Sequence, residues 1–206
     1  HIAEIAGSAE LPVNADFQSG YASQPEGVAA NVRRCIEAGV AGLSIEDTTG
    51  DPTKLLFELP EASERIAAAR AAIDSSGEDV LLTARAECFL VEHPDPLRES
   101  IRRLQAYIEA GADVLFAPGV REREEIRAIV DSVAPRPVNV LVSANTGLHV
   151  SDLAELGVRR ISVGSALARA AWGAFLRAAQ GIAADGSFAG LDDAATFVQL
   201  NAMFAS

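Results

Sequence analysis

The chain has 206 residues, of which 49% are hydrophobic and 22% are charged, as in an ordinary globular domain. Asp and Glu outnumber Lys and Arg by 29 to 17, which gives a formal net charge of -12. Nucleic acids and anionic membranes select basic surfaces, so this charge argues against both partners. No apolar stretch is long enough to span a membrane. The two cysteines lack metal-type spacing and suit a reducing, cytoplasmic location.

Apolar runs of strand length alternate with amphipathic segments along the chain. The predicted strands cover residues 11–16, 41–47, 80–87, 112–118, 137–143 and 159–165. The predicted helices have apolar residues spaced three or four apart, and they cover residues 25–38, 60–75, 97–110, 122–133 and 151–156. This alternation is typical of a parallel sheet that is covered by helices on both faces.

A repeated pattern indicates a barrel. Gly39, Gly111 and Gly157 each separate the end of a predicted helix from the next strand. No Gly-x-Gly-x-x-Gly turn is present, which argues against a dinucleotide-binding sheet. About six strand–helix units are visible, whereas a TIM-type (β/α)8 barrel has eight. We therefore interpret residues 1–206 as one barrel domain that lacks its first two units.

We interpret residues 187–206 as a separate, C-terminal helical segment of this domain. Residues 191–204 are predicted to be one amphipathic helix that follows a loop at residues 184–187. Such a helix can pack on its own barrel or be lent to a partner subunit, and the pattern leaves both arrangements open.

Two predicted strands end in carboxylates. Asp16 shares a face with Asn14 on the first strand, and Glu46 shares a face with Ser44 on the second. The C-terminal ends of barrel strands surround the active site, so these side chains are expected to lie together. They suit a hard divalent cation such as Mg²⁺, bound directly or through water. The alternative is that each carboxylate caps the following helix or binds a loop amide.

Arg85 shares a face with Glu87 at the end of the third predicted strand. Its guanidinium suits the oxygens of a substrate carboxylate or phosphonate, and a buried ion pair with Glu46 or Glu87 is a compatible alternative. Asp47 is expected to organise the turn that follows it. Gly164 lies where a strand opens into a helix, so its backbone can hold an anion or simply make a tight connection.

Four segments resemble the isocitrate lyase/phosphoenolpyruvate mutase superfamily. They cover residues 12–16 with 20–21, residues 42–47, residues 84–87 and residues 159–165. The last of these resembles the final barrel strand of the phosphoenolpyruvate mutase-like branch. The resemblance implies a (β/α)8 barrel whose eighth helix is swapped between subunits of a dimer or tetramer. It also implies an enzyme that makes or breaks C–C or C–P bonds in small 2-oxo or 2-hydroxy acids, with Mg²⁺ or Mn²⁺ holding a pyruvate-type enolate.

The resemblance also implies roles for individual residues. Asp16 matches the second carboxylate of the family's Asp-x-Asp motif, and Glu46 matches the glutamate of its (His/Ser)-Ile-Glu-Asp motif. Arg85 matches the arginine that contacts substrate. Asn139 matches a polar residue on the seventh strand, and it is expected to bind substrate together with Arg85 and Gly164.

Two departures from the family pattern narrow the expected activity. Asn14 stands where most members have the first aspartate, so we expect it to assist metal binding with a lower affinity. Isocitrate and methylisocitrate lyases carry a Lys-(Lys/Arg)-Cys-Gly-His loop, whereas residues 48–54 contain neither cysteine nor histidine. This difference argues against those two activities and leaves Lys54 as the only base candidate in the loop.

The sequence therefore predicts a Mg²⁺-dependent lyase that cleaves a C–C bond of a small 2-oxo or 2-hydroxy carboxylate through a pyruvate-type enolate. Phosphonate chemistry, by a phosphoenolpyruvate mutase or a phosphonopyruvate hydrolase, ranks second because the loop offers only Lys54 to bind the phosphonyl group. A barrel that binds a metabolite without turning it over is the third hypothesis.

Overall fold

A computed structural model describes residues 1–8 and 10–204. Its strands are β1 (Asn14–Asp16), β2 (Gly42–Glu46), β3 (Thr48–Asp51), β4 (Lys54–Leu56), β5 (Leu81–Arg85), β6 (Val114–Phe116), β7 (Val138–Leu141) and β8 (Arg160–Ser162). Its helices are α1 (Ile2–Ser8), α2 (Pro25–Glu37), α3 (Leu59–Ser76), α4 (Pro96–Glu109), α5 (Arg123–Val133), α6 (Val150–Glu155), α7 (Ala166–Asp185) and α8 (Phe197–Phe204). Within the described ranges, no helix combines the length and the apolar character that crossing a membrane requires.

The chain divides into two compact units, residues 1–162 and residues 163–206. Six parallel strands of the first unit form one sheet in the order β1-β2-β5-β6-β7-β8. All six predicted strands are present, although each is shorter than its apolar run because the run's ends belong to connecting loops. The result is an α/β fold with a parallel half-barrel sheet, which is consistent with a truncated TIM-type barrel.

The hydrophobic core lies between the sheet and its helices. On β2, Leu43 and Ile45 are buried in this core and alternate with the polar Ser44 and Glu46. The helices bury residues at three- and four-residue spacing, and on α2 these are Val28, Val32, Cys35 and Ile36. β2 therefore presents apolar side chains to the core and polar ones to the opposite face of the sheet.

The three glycines of the repeated pattern adopt the predicted left-handed conformation. The φ angles of Gly39, Gly111 and Gly157 are 84°, 98° and 91°. At Gly111 a Cβ would also lie 2.5 Å from Cγ of Arg70, so the helix–strand connection has no room for a side chain.

Residues 48–54, treated above as a loop, belong to an antiparallel hairpin of β3 and β4 that extends to residue 56. Thr48 pairs with Leu56 and Asp51 pairs with Lys54. The turn depends on Asp51, whose Oδ1 accepts hydrogen bonds from the backbone N–H of Thr53 at 2.8 Å and from its hydroxyl at 2.7 Å. The hairpin has no alternating apolar pattern, so periodicity did not reveal it.

In the second unit, α7 runs through residues 184–185 and ends at Gly186, whose φ is 73°. The predicted helix at 191–204 is shorter, because α8 begins only at Phe197. A reciprocal cap explains this start: Oγ1 of Thr196 accepts the N–H of Gln199 at 3.2 Å, and Oε1 of Gln199 accepts the N–H of Thr196 at 2.8 Å. The last two residues of the predicted segment 187–206 lie outside the described residues.

Candidate active site

Strand register aligns polar residues on one face of the sheet. Asp16 pairs with Ser44, and two residues further toward the C-terminal edge Glu46 pairs with Arg85. The same level continues from Arg85 through Phe116 to Asn139. The sheet thus brings residues from β1, β2, β5 and β7 to one face near its C-terminal edge, as the sequence predicts.

Arg85 is the centre of this site. Its Nη1 lies 2.9 Å from Oδ1 of Asp16, and its Nη2 lies 3.2 Å from Oε2 of Glu46. Its Nε and Nη2 both lie 2.8 Å from Oε1 of Glu87. The exposed fraction of the three carboxylate side chains decreases from 71% for Asp16 to 16% for Glu46 and 4% for Glu87. Three carboxylates around one guanidinium leave an excess of negative charge at the mouth of the site.

Burial and neighbouring charges shift two pKa values here. Burial raises the pKa of Glu87 to about 7, and the charges of Glu46 and Asp47 add to this increase, while Arg85 opposes it. For Arg85, burial acts to lower the pKa, but Glu87, Glu46 and Asp16 together outweigh it and raise the value. The guanidinium therefore stays charged near neutrality, whereas Glu87 can carry a proton there.

Asp16 and Glu46 offer the oxygen ligands that Mg²⁺ prefers. Oε1 of Glu46 accepts a hydrogen bond from Oγ1 of Thr48 at 2.6 Å, and Oδ1 of Asp16 accepts one from Oγ of Ser44 at 3.4 Å. In residues 1–8 and 10–204, no group of three or more His, Cys, Asp or Glu side chains is arranged as a complete metal site. Mg²⁺ usually keeps several waters and uses only one or two carboxylates, so a site for it does not need three protein ligands.

Asn139 is buried in the sheet with one polar atom unpaired. Its Nδ2 donates to Oγ of Ser162 at 3.0 Å, but its buried Oδ1 has no partner among the described residues. It stands beside Phe116, whose ring lies 5.3 Å from Cζ of Arg85. A buried acceptor without a donor is costly, so a substrate hydroxyl or a water is a suitable partner for it.

Asn14 lies two residues before Asp16 on β1, and strand register separates it from Glu46. It pairs with Gly42 at the start of β1, and its Oδ1 lies 2.8 Å from where a Cβ on Gly42 would stand. Glu46 is four residues further along β2, which is roughly 13 Å at about 3.3 Å per residue. The residue beside Glu46 is instead Gln18, whose carbonyl accepts the Glu46 N–H at 2.9 Å.

Gly164 belongs to the second unit, where it adopts a φ of 52° just before α7. Its expected substrate contact stays a prediction. Burial raises the pKa of Cys35 and of Cys88 to about 11, which disfavours a thiolate at either residue.

Sequence reasoning missed the role of Asp47. Its side chain is 2% exposed and accepts hydrogen bonds from Nη1 of Arg103 at 3.0 Å, from the hydroxyl of Tyr107 at 2.7 Å and from the N–H of Glu87 at 2.9 Å. It thus joins the ends of β2 and β5 to α4 instead of organising only its own turn. The signal in the sequence is the four-residue spacing of Arg103 and Tyr107, which places two hydrogen-bonding side chains on one face of a helix.

The family model described as phosphoenolpyruvate phosphomutase matches residues 1–183. The chain belongs to the isocitrate lyase/phosphoenolpyruvate mutase superfamily. The predicted family is confirmed. The 2-methylisocitrate lyase of Escherichia coli (strain K12) is 35% identical over 159 residues, which cover 73% of this chain and 52% of that enzyme. The chain therefore spans about half the length of such sequence relatives.

Solved structures of the superfamily share the fold. A Burkholderia cenocepacia J2315 protein described as a lyase/mutase matches with a TM-score of 0.94 and 44% identity, over 100% of this chain and 74% of that chain. An oxaloacetate acetylhydrolase, solved with its product oxalate, matches with a TM-score of 0.82 and 28% identity, over 98% of this chain and 70% of that chain. Both C–C bond chemistry and mutase chemistry therefore occur among the relatives.

Proposed function

We propose that the protein is a Mg²⁺-dependent lyase that cleaves a C–C bond in a small 2-oxo or 2-hydroxy carboxylate through a pyruvate-type enolate. The observation that carries this proposal is the Arg85 guanidinium, held by Asp16, Glu46 and Glu87 at the C-terminal edge of a parallel half-barrel. The similarity to an acetylhydrolase and to a 2-methylisocitrate lyase supports C–C chemistry.

The reaction needs positive charge at a defined point. C–C cleavage leaves an electron pair on the pyruvate-like fragment, and its negative charge gathers on the enolate oxygen. A bound Mg²⁺, for which Mn²⁺ can substitute, would supply Lewis-acid stabilisation of that oxygen, and Asp16 and Glu46 would hold the ion and its waters. The metal-ligand role of Asn14 is the least supported assignment, because register separates it from Glu46.

Arg85 has a donor left for the substrate. Its guanidinium carries five N–H bonds, and its carboxylate contacts use Nε once, Nη1 once and Nη2 twice. The second N–H of Nη1 is left to bind the substrate carboxylate next to Asp16. Asn139, at the same level of the sheet as Arg85, is the second proposed substrate contact.

Phosphonate chemistry is the second candidate, and the family model that the chain matches supports it. A mutase or phosphonopyruvate hydrolase needs a cationic or amide side chain over the phosphonyl group. In the hairpin, Nζ of Lys54 lies 3.6 Å from Oε2 of Glu61 on α3, so this lysine is directed to a helix. C–C cleavage therefore ranks first, and a binding protein without turnover ranks third.

The proposal includes a cytoplasmic homo-oligomer, either a dimer or a tetramer. Large apolar side chains of the second unit are exposed, and they include Trp172 at 63%, Phe175 at 60% and Phe197 at 86%. Exposed apolar surface of this kind favours contact with another subunit, and exchange of the C-terminal helix would provide it. Light scattering of the purified protein measures the oligomeric state directly.

Calorimetric titration of the metal-stripped protein with oxalate, with and without Mg²⁺, tests the proposed function. Oxalate mimics the enolate of pyruvate, so binding is expected only when Mg²⁺ is present. Such binding would justify a screen of C–C and C–P substrates. An absence of binding in both conditions would contradict the metal–enolate site and favour the non-catalytic alternative.

A further inference from the structure

Asp47 makes hydrogen bonds at the end of β2 through both its backbone carbonyl and its side chain, and each group binds a different part of the chain. Along the β2–β5 ladder, the N–H of Leu81 donates to the carbonyl of Ala41 at 3.1 Å. In steps of two, the same hydrogen-bond offset would direct the N–H of Glu87 to the backbone carbonyl of Asp47. The carbonyl of Asp47, however, accepts the N–H of Phe57 at 2.9 Å and so closes the hairpin. Oδ1 of Asp47 accepts the Glu87 N–H instead, at 2.9 Å, and extends the pairing beyond the last strand residues.

Helix α4 holds the Asp47 carboxylate in this position. Oδ2 receives the hydroxyl of Tyr107 at 2.7 Å and Nη1 of Arg103 at 3.0 Å, and Tyr107 is completely buried. Arg103 is itself fixed, because its Nε donates to Oε1 of Glu99 at 2.7 Å and its Nη1 to the carbonyl of Phe57 at 3.0 Å. Charged hydrogen bonds in a buried setting are short and strong, so the carboxylate has little freedom.

We propose that Asp47 is a positioning residue for Arg85, acting through Glu87. Fixing the N–H of Glu87 fixes the start of a side chain that is 4% exposed and whose Oε1 contacts both Nε and Nη2 of Arg85. This contact orients the guanidinium so that Nη1 faces Asp16. The inference rests on the proposed function, in which Nη1 of Arg85 binds the substrate anion.

The same strand provides a matched control at its other end. Oδ2 of Asp113 accepts the N–H of Leu82 at 2.8 Å and Nη1 of Arg70 at 2.9 Å. Asp113 thus joins a backbone N–H of β5 to a helix arginine, as Asp47 does for Glu87 and Arg103, but near the start of the strand. Substituting either aspartate removes similar contacts, and only one of them is connected to Arg85.

The test compares Asp47→Asn with Asp113→Asn in two measurements. In Asp47→Asn, the amide NH2 group faces hydrogen-bond donors in either orientation. It meets the N–H of Glu87 in one orientation, and Arg103 and Tyr107 in the other. At least one donor therefore loses its acceptor. In NMR spectra of arginine-labelled protein, the Nε–Hε signal of Arg85, assigned by its loss in Arg85→Lys, should shift and exchange faster with water in Asp47→Asn. It should be unchanged in Asp113→Asn. An unchanged Arg85 signal in folded Asp47→Asn protein would overturn the proposal.

Oxalate binding with Mg²⁺ is the second measurement. We expect Asp47→Asn to weaken it by about tenfold or more, and Asp113→Asn to leave it within about twofold. Tyr107→Phe keeps the ring and removes one hydrogen bond to Asp47, so it should shift the Arg85 signal in the same direction even if Asp47→Asn does not fold. If wild-type protein binds no oxalate, the proposed function fails, while the NMR signal still decides whether Asp47 positions Arg85.

Discussion

Arg85 and Glu87 share a single carboxylate oxygen: Nε and Nη2 of Arg85 both lie 2.8 Å from Oε1 of Glu87. The two residues are neighbours on one face where β5 ends, and Glu87 is the more buried of the pair. The inner edge of the guanidinium is therefore fixed by a side chain that solvent barely reaches. The outer nitrogen, Nη1, is left facing the exposed Asp16, and this orientation suits a ligand that enters from solution.

Removing the side chain of either Arg85 or Glu46 should abolish turnover and oxalate binding. Arg85→Ala deletes the anion contact, and Glu46→Ala deletes a metal carboxylate. We expect both variants to keep the native circular dichroism spectrum, and calorimetry to show at least about a hundredfold loss of oxalate affinity. Arg123→Ala is the control, since that side chain is 41% exposed and lies 3.7 Å from Asp152 and 3.6 Å from Glu155, away from the cluster. Wild-type activity in both site variants would refute this assignment.

The raised pKa of Glu87 predicts how stability depends on pH. Burial raises this pKa from 4.5 to about 7, so between these pH values the folded state keeps a proton that the unfolded state has lost. The group's contribution to the free energy of unfolding therefore falls as pH rises from about 4.5 to 7, by about 3 kcal/mol. Urea unfolding across this range should show that Glu87→Gln lacks this part of the slope. A constant difference between the two proteins would mean that the pKa is not shifted.

A pair of substitutions locates the metal ligands. Gln18→Asp places a carboxylate beside Glu46, and the backbone there has a φ of 47°, which aspartate tolerates better than most residues. We expect it to raise Mg²⁺ affinity about tenfold or more, as measured by calorimetry, because the ion gains an anionic ligand. Asn14→Asp adds the same charge about 7 Å from Asp16 along β1, and it should raise the affinity less than Gln18→Asp does. A larger gain from Asn14→Asp would restore the metal role expected from the sequence.

Arg65 on α3 should contribute strongly to stability, although it has no place in the chemistry. Its side chain donates to the carbonyls of Ser19, Ala22 and Ser23 at 2.6, 2.5 and 3.2 Å, and its Cζ lies 4.2 Å from the Phe57 ring centre. Arg65→Ala removes three hydrogen bonds to partly buried carbonyls and a side chain that is 1% exposed, so urea unfolding should show a loss of about 3 kcal/mol. Exposed Arg102→Ala should cost under about 0.5 kcal/mol. Equal losses in the two variants would contradict the role given to Arg65.

The sequence predicted the repeating part of this fold well. Strand and helix order depends on local properties, namely apolar periodicity and glycines such as Gly39 and Gly111, and these survive in the structure. The hairpin at residues 48–56 was missed because its turn is held by Asp51 hydrogen bonds and not by a hydrophobic pattern. The start of α8 was missed for a similar reason, since the pairing of Thr196 with Gln199 sets it.

In the site, too, the local sequence pattern predicted some features, and the three-dimensional arrangement decided the others. Residue types at strand ends were enough to select Asp16, Glu46 and Arg85, because alternation along a strand fixes which side chains share a face. Which of them meet was decided by the register between strands, which sets Asn14 opposite Gly42 and Glu46 opposite Arg85. The connection from Tyr107 through Asp47 to Glu87 spans three elements, and it exists only when their packing brings distant hydrogen-bonding groups within 3 Å of one another. The sequence by itself determined the family, the alternation of elements and the chemistry available, whereas tertiary packing decided which groups act together.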